Sequence, residues 1–151
     1  MNKHRTWLDA TQVFSTFSKC PRQQFSAVIV DSDNQVVSVG YNGNIRGQYG
    51  DLCGGDECLR DTYSIPSGKD TDIGCIHAEE NAILNCARQG VSCIGTTLYI
   101  NGEPCPKCCR RIAQVGIHRV VYCKKGYPID GLNILKENGV ETILMPMQIV
   151  K

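Results

Sequence analysis

The sequence predicts an α/β protein with a three-layer α/β/α architecture, in which helices cover both faces of a central, mixed, five-stranded sheet. Short apolar segments alternate with helix-type segments from about residue 76 onward, and this alternation is typical of strands connected by helices. Two earlier strand-type segments are separated by a turn, which indicates an antiparallel hairpin. The 151 residues are enough for one domain, residues 1–151, with a sizeable core.

The first predicted element is a helix over residues 6–19. Its end is set by Cys20, because a residue that precedes a proline is disfavoured in the α region. The hairpin follows, with a strand over 25–30, turn residues over 31–34 and a strand over 35–41. The apolar side chains that recur at helical spacing, and that define the expected buried stripe of the first helix, are Leu8, Val13, Phe14 and Phe17.

A long irregular region, rich in Gly, Asp and Cys, reaches from about residue 40 to residue 74 and contains a short predicted helix over 56–63. A loop of this length in a compact domain is usually functional, disordered or held in place by other groups. The remaining predicted elements are a helix over 76–88, a strand over 96–100, a helix over 106–115, a strand over 117–123, a helix over 129–138 and a strand over 140–145. The side chains expected to face the core from the helix over 76–88 are Ala82, Ile83, Cys86 and Ala87.

Composition excludes several classes of protein. The net charge is +1 and Lys and Arg form no long run, so we expect no nucleic-acid partner. No apolar stretch reaches 18 residues, and the first ten residues are charged rather than apolar, so we expect neither a membrane span nor a signal peptide. A cytoplasmic protein is expected, located in the host cytoplasm if a phage encodes it. The ten cysteines then indicate metal binding rather than a disulfide framework.

The chemistry is concentrated in two motifs, His77-Ala78-Glu79 and Pro104-Cys105 followed by Cys108. One histidine and two cysteines form a three-ligand Zn²⁺ site whose fourth position is left for water. The carboxylate of Glu79 can take a proton from that water and pass it to a ring nitrogen and to a departing amine. The pattern H-x-E with P-C-x-x-C is typical of zinc deaminases that act on nucleobases.

Less specific interpretations exist for several of these residues. A lone C-x-x-C is often half of a structural zinc site, but the upstream His77-Ala78-Glu79 favours catalysis. Glu80 fits a solvated carboxylate that complements the helix dipole, and Cys109 would point away from the metal. No functional role is expected for Cys86, Cys93 and Cys123, interpreted as buried apolar side chains, or for His4 and His118.

With these motifs in view, the chain resembles the deoxycytidylate (dCMP) deaminases of the cytidine deaminase superfamily, of bacterial or phage type. The resemblance implies the cytidine deaminase-like fold and the hydrolysis of dCMP to dUMP and ammonia, which supplies dUMP for dTMP synthesis. The segments that carry the resemblance cover nearly the whole chain and are Ser18-Lys19-Cys20-Pro21-Arg22, Ala27-Val28-Ile29-Val30, Gly40-Tyr41-Asn42-Gly43, His77-Ala78-Glu79-Glu80-Asn81-Ala82-Ile83, Pro104-Cys105-Pro106-Lys107-Cys108 and Gly126-Tyr127-Pro128.

The same resemblance implies roles in substrate binding. Asn42 would hold the deoxyribose, and the backbone of Ala78 would read the base. Arg22 and Tyr127 would contact the phosphate, although from residue type alone they fit a surface charge and an aromatic side chain that covers the core. The sequence departs from the family at Phe25-Ser26, where Val-Gly is usual.

Many members of this family are hexamers that dCTP activates and dTTP inhibits, with Mg²⁺ on the triphosphate, so the resemblance implies a homohexamer with these effectors. Asn42, Gly43, Asn44 and Arg46 fit a phosphate-binding loop, because glycine allows backbone amides to approach and arginine adds charge. The alternative is an ordinary hairpin exit with one exposed arginine.

A second, structural Zn²⁺ held by four thiolates is also implied by some relatives. Its expected ligands are Cys20, Cys53, Cys58 and Cys75, and the alternative is free thiols in a loop.

Two other functions remain open at this stage. The same chemistry could act on dCTP, cytidine, tRNA adenosine or another base, although the near-neutral charge argues against tRNA. A zinc-stabilised binding module without turnover is the other alternative, but such a module has no use for a carboxylate such as Glu79 beside a water position.

Overall fold

The computed structural model describes residues 2–47, 56–66, 73–123 and 130–147. The helices are α1 Lys3–Ser15, α2 Leu59–Thr62, α3 Ala78–Gln89, α4 Pro106–Gln114 and α5 Leu132–Glu137. The strands are β1 Ser26–Val30, β2 Val36–Tyr41, β3 Thr97–Ile100, β4 Arg119–Tyr122 and β5 Glu141–Leu144. Each predicted element is therefore present, with ends that lie within a few residues of the expected positions.

The five strands form one mixed sheet in the order β2-β1-β3-β4-β5. β1 pairs antiparallel with β2 and with β3, whereas the β3–β4 and β4–β5 pairs are parallel. The hairpin turn closes as the sequence predicts, since the Asp31 amide donates to the Gln35 carbonyl (2.9 Å) and Asn34 adopts a positive φ of 62°. The predicted mixed five-stranded sheet is thus confirmed.

The two faces of the sheet have separate apolar cores, as the predicted three layers require. Ala27 and Ile29 of β1 point into a core shared with α3, α4 and α5. Val28 and Val30 point to the opposite face, where Leu8 of α1 is fully buried. This alternation along one strand follows from the two-residue period of β-structure. No helix in the described ranges is long and apolar enough to cross a membrane.

The first helix differs from its prediction in position and in buried face. It begins earlier because the Asn2 side chain accepts a hydrogen bond from the His4 amide (3.0 Å) and caps the first turn. Phe17 lies beyond the helix and is 61% exposed, and Val13 is 67% exposed, so neither belongs to the buried stripe. Thr11 and Ser15 are buried instead, with hydroxyl groups that donate to carbonyls of their own helix (2.5 and 2.6 Å).

On α3, Ala82 and Cys86 are buried and Ile83 packs against the same core, as predicted. Ala87 is exposed, so its predicted place in the core is wrong.

Candidate active site

The site lies where the N-termini of two helices meet. His77 is the N-cap residue of α3, and Cys105 is the N-cap residue of α4. Both have extended backbone angles, and Pro106 occupies the first turn of α4, where a missing amide hydrogen costs nothing. Cys108 follows one turn into α4 and therefore faces the same side as Cys105. The predicted placement of His77, Cys105 and Cys108 at two helix starts is confirmed.

The three side chains converge on one point. The Nδ1 atom of His77 lies 3.5 Å from the sulfur of Cys105 and 3.4 Å from the sulfur of Cys108. A tetrahedral Zn²⁺ with ordinary bond lengths spaces a nitrogen and a sulfur ligand about 3.5 Å apart. These ligand atoms all lie within 4.8 Å of one another, and within the described ranges they are the group of His, Cys, Asp and Glu that fits a metal ion. The residues present therefore fit zinc.

Glu79 is a carboxylate enclosed by protein, with 4% of its surface exposed. Burial raises its pKa, while the positive charge of His77 and a hydrogen bond from Cys108 act in the opposite direction. The pKa of His77 is raised in turn, chiefly by its hydrogen bond with Cys105. A desolvated carboxylate with a raised pKa, beside a metal-ligand cluster, is suited to accept and return protons near neutral pH.

The pKa values of the two thiols are shifted in opposite directions. A hydrogen bond from Cys108, supported by His77, lowers the pKa of Cys105 to about 4. The pKa of Cys108 is raised, because its hydrogen bond to the Cys105 sulfur and its burial both favour the protonated form. One thiolate is thus already available for a metal, and the N-terminus of α4 favours that charge.

The start of α3 is pressed against the sheet through a glycine. A Cβ atom on Gly40 of β2 would lie 2.2 Å from the Ala82 amide nitrogen and 2.4 Å from the Ala78 carbonyl oxygen. On the other side of the site, a Cβ on Gly131 would lie 2.7 Å from the Cα of Pro106, so α4 is in equally close contact with the segment that leads into α5. Each ligand-bearing helix therefore has its own close contact with the body of the protein.

Glu80 makes two contacts next to the site, whereas the sequence predicted a solvated carboxylate. Its side chain accepts a hydrogen bond from the His77 amide (3.4 Å) and lies 3.4 Å from the guanidinium of Arg111 on α4. The carboxylate thereby links the two helices that carry the ligands. A glutamate three residues after a helix N-cap is the sequence pattern for this kind of cap, but nothing in the sequence indicates the partner on α4.

The residues predicted to bind substrate are placed as follows. Ala78 is buried at the first position of α3. Asn42 is buried, and its side-chain amide joins the end of β2 to the segment that precedes β1. The amide oxygen accepts from the Phe25 backbone amide (2.9 Å), and the amide nitrogen donates to the Gln23 carbonyl (2.9 Å). Arg22 forms an ion pair with Asp61 (3.4 Å). Tyr127 lies outside the described residues, and the four substrate-binding roles stay predictions.

The predicted phosphate-binding loop is connected directly to the metal site. Gly43 pairs with Ile76 through two backbone hydrogen bonds of 3.2 and 2.9 Å, and Ile76 precedes the ligand His77. The guanidinium of Arg46 donates to the side-chain oxygen of Asn85 on α3. Asn44 is half-buried and lies between these two contacts. Binding of an effector by this loop stays a prediction.

Three of the four ligands predicted for a second zinc site lie in the described residues. Cys58 is buried, while Cys20 and Cys75 are half-buried. In the part of the chain that the structure describes, these three sulfurs are not gathered into a group that could hold a metal. The fourth expected ligand, Cys53, lies outside the described residues, so the four-thiolate site stays a prediction.

Cys86, Cys93 and Cys123 are buried, as predicted, and Cys109 is buried too. Cys109 donates to the Pro104 carbonyl (3.5 Å) instead of facing the metal ligands. His4 lies in α1, and its Nδ1 atom is 2.8 Å from the Tyr99 hydroxyl. It therefore joins the first helix to the sheet.

Comparisons with known proteins point to one family. Residues 1–124 match the family described as the cytidine and deoxycytidylate deaminase zinc-binding region. A probable deoxycytidylate deaminase of Drosophila melanogaster is 39% identical over 73% of this chain, which spans 53% of that protein's length. The deoxycytidylate deaminase of Enterobacteria phage T2 is 32% identical over 95% of this chain and 93% of its own.

A solved structure agrees with the sequence comparisons. The dCMP deaminase of cyanophage S-TIM5, crystallised in complex with dCMP and dUMP, is 28% identical and superposes with a TM-score of 0.75. The match covers 93% of this chain and 94% of the cyanophage chain. This chain therefore shares its overall fold with a protein crystallised with dCMP and dUMP.

Proposed function

This chain belongs to the cytidine and deoxycytidylate deaminase family, and from that premise we propose that it hydrolyses dCMP to dUMP and ammonia. The observation that carries the proposal is the buried carboxylate of Glu79 beside the His77, Cys105 and Cys108 cluster. A structural zinc site needs four protein ligands and no acid–base group, whereas a catalytic one keeps a position open. The names and coverage of the phage relatives support dCMP as the substrate.

The chain's own residues supply the proton chemistry. His77, Cys105 and Cys108 would hold Zn²⁺, and this ion, when bound, supplies Lewis-acid activation of a water molecule. Glu79 would accept the first proton of the water molecule that attacks the amino-bearing carbon of cytosine. Glu79 passes this proton to the ring nitrogen, then takes the proton of the hydroxyl group now on that carbon and delivers it to the amine, which leaves as ammonia while the carbonyl forms. Burial of Glu79 keeps bulk water from competing for these protons.

Recognition of a nucleotide rather than a free base is assigned to residues around the site. The backbone of Ala78 lies beside Glu79 at the start of α3, which supports a role in reading the base. Asn42 is fixed by backbone partners and would contact the deoxyribose. The side chain of Arg22 is 29% exposed and pairs with Asp61, a carboxylate that a substrate phosphate would replace. Tyr127 would be the second phosphate contact.

Regulation by nucleotides is a further part of the proposal. We assign dCTP with Mg²⁺ as activator and dTTP as inhibitor to the loop with Asn42, Gly43, Asn44 and Arg46, within a homohexamer. The support is the hydrogen-bond contact of this loop with Ile76 and with Asn85. Through these contacts, a change in the loop would reach the helix that carries Glu79. The reaction is placed in the cytoplasm, where free nucleotides are found, and in that of the host if a phage encodes the protein.

The direct test is ultraviolet-monitored deamination of dCMP by the zinc-loaded protein, with cytidine, dCTP and a tRNA anticodon stem as competing substrates. Turnover of dCMP that rises with dCTP and Mg²⁺ and falls with dTTP would support both the reaction and its regulation. Turnover that ignores both effectors would leave the enzyme and remove the regulatory proposal. A zinc-loaded protein that leaves dCMP intact with or without effectors would contradict the substrate assignment.

A further inference from the structure

Two asparagines of α3 bind the outer edge of β2. The side-chain nitrogen of Asn81 donates to the Tyr41 carbonyl (2.7 Å), and that of Asn85 donates to the Val39 carbonyl (2.8 Å). The backbone amide of Asn42 donates to the backbone carbonyl of Phe25 (3.2 Å), on the side that faces β1. Because backbone groups alternate along an antiparallel strand, the carbonyls of Tyr41 and Val39 then point away from β1. Among the strands that the structure describes, none uses the acceptors that these two side-chain amides occupy.

The two bonds fit only one position of the helix along the strand. Asn81 and Asn85 are one helical turn apart, which is an advance of about 6 Å. Tyr41 and Val39 are two strand residues apart, which is an advance of about 6.8 Å. Both amides therefore meet their carbonyls at the same time, with α3 running opposite to β2. A shift of the helix by one residue, about 1.5 Å, would break both contacts.

A third bond and a close backbone contact strengthen this arrangement. The hydroxyl of Ser38 donates to the Ala82 carbonyl (2.7 Å), in the direction opposite to the asparagine bonds. Gly40 lies between Val39 and Tyr41 in sequence and lets the backbone of α3 approach β2 directly. Side-chain amides can span the gap between the helix and the strand edge because the two backbones are so close.

The two halves of the metal site depend on different supports. Cys105 and Cys108 belong to α4, which packs against α5 through Gly131. His77 and Glu79 belong to α3, which packs chiefly against β2. The two helices also contact each other, through the Glu80–Arg111 ion pair among other contacts, but the position of His77 and Glu79 depends chiefly on where α3 lies along β2.

We propose that Asn81 and Asn85 are positioning residues that fix α3 along β2, and so hold His77 and Glu79 in register with the two cysteines. The proposal rests on the deamination reaction for its activity readout, but zinc retention tests it independently. Neither side chain needs to touch the substrate. Their effect is on geometry, and a displacement of about 1 Å at reacting groups can cost about 100-fold in rate.

The test compares Asn81→Leu, Asn85→Leu and the double variant with Asn138→Leu. Leucine keeps the size of asparagine and removes the amide. Asn138 is the matched control, because its amide also donates to a backbone carbonyl, that of Ile134 (2.7 Å), but on α5 at a distance from β2. We expect kcat to fall about tenfold in each single variant and about 100-fold in the double variant, with KM little changed. Zinc release to a chromogenic chelator should accelerate in the same order, whereas Asn138→Leu should lower Tm only.

A second variant separates the strand contact from the contact with Arg46. Asn85→Asp keeps an oxygen for the Arg46 guanidinium but cannot donate to Val39. It should behave like Asn85→Leu, and a kcat and zinc release equal to wild type in Asn85→Asp would overturn the proposal. The double leucine variant provides a second decisive outcome. If its kcat and zinc release equal those of wild type and only its Tm is lower, the asparagines have a purely structural role and the proposal is overturned. Wild-type protein that fails to deaminate dCMP would contradict the reaction instead, and zinc release would still decide the role of the asparagines.

Discussion

Replacing Gly40 with alanine would drive a methyl group into the backbone of the helix that carries Glu79. The new Cβ would lie 2.2 Å from the Ala82 amide nitrogen, 2.4 Å from the Ala78 carbonyl oxygen and 2.8 Å from the Asn81 carbonyl carbon. All three atoms belong to helix backbone, so no side-chain rotation relieves the overlap. To reach an ordinary contact of 3.4 Å, the helix and strand must separate by about 1.2 Å.

The size of the effect follows from that displacement. Overpacking of this kind costs about 1–3 kcal/mol of the free energy of unfolding, which lowers Tm by about 3–10 °C in a chain of this size. A movement of about 1 Å at Glu79 would also lower kcat by about 100-fold. The loss of activity at 25 °C should therefore exceed what partial unfolding explains.

The assay combines thermal unfolding, bound zinc and initial rates of dCMP deamination. Gly43→Ala is the matched control for Tm and zinc content, because its Cβ would meet no atom within 4 Å and it lies three residues further along the same segment. If Gly40→Ala retained wild-type Tm and kcat, the contact between β2 and α3 could not be as close as described, and this explanation of how Glu79 is placed would fail.

Three other changes test other parts of the structure. Glu79→Gln should keep stoichiometric zinc by elemental analysis but lose about 100- to 10,000-fold in kcat, and a zinc-loaded variant with normal turnover would exclude it as the acid–base group. Burial, helped by Arg119 and Lys3, lowers the pKa of His4 below its usual 6.5, so the folded state binds fewer protons and stability falls as the pH drops below about 6.5. His4→Gln should therefore lose less Tm than wild type between pH 7.5 and 5.5, and an identical loss would show that another group is responsible. Arg111→Gln removes a partly exposed ion pair with Glu80 and should lower the free energy of unfolding in urea by less than about 1 kcal/mol. This difference should shrink in 1 M salt, and a difference that salt leaves unchanged would show that it does not come from the ion pair.

The candidate metal cluster could be predicted because its chemistry is visible in short segments. His77-x-Glu79 and Cys105-x-x-Cys108 each place their side chains within one turn of a helix start, so local geometry determines each half of the site, though not how the two halves meet. The order of strands and helices was also predictable, since turn residues at Asn34 and glycines after the helices mark the boundaries.

The predicted buried face of the first helix was wrong where burial depends on contacts with other elements. Thr11 is buried although it is polar, because its hydroxyl donates to its own helix and its carbonyl accepts from Ser26 of β1. Phe17 is exposed although it is aromatic, because the chain has already left the helix and places the ring beside Tyr41. A periodicity that counts only apolar side chains assigns both residues to the wrong side.

No sequence pattern indicates the close packing of α3 on β2. Gly40 looks like any glycine near a strand end, and Asn81 and Asn85 look like ordinary polar residues on a helix surface. Their importance comes from backbone atoms of another element at short range.

The unequal thiols of the site make the metal-free protein sensitive to oxygen. The lowered pKa of Cys105 favours its thiolate, whereas the raised pKa of Cys108 favours its protonated form. Two electrons and the remaining proton lost to an oxidant would join their sulfurs in a disulfide, a form that can no longer bind Zn²⁺. Bound metal blocks this route by occupying both sulfurs. Protein stripped of zinc in air should therefore recover with metal only after a thiol reductant, whereas protein stripped under reducing conditions should recover with metal alone.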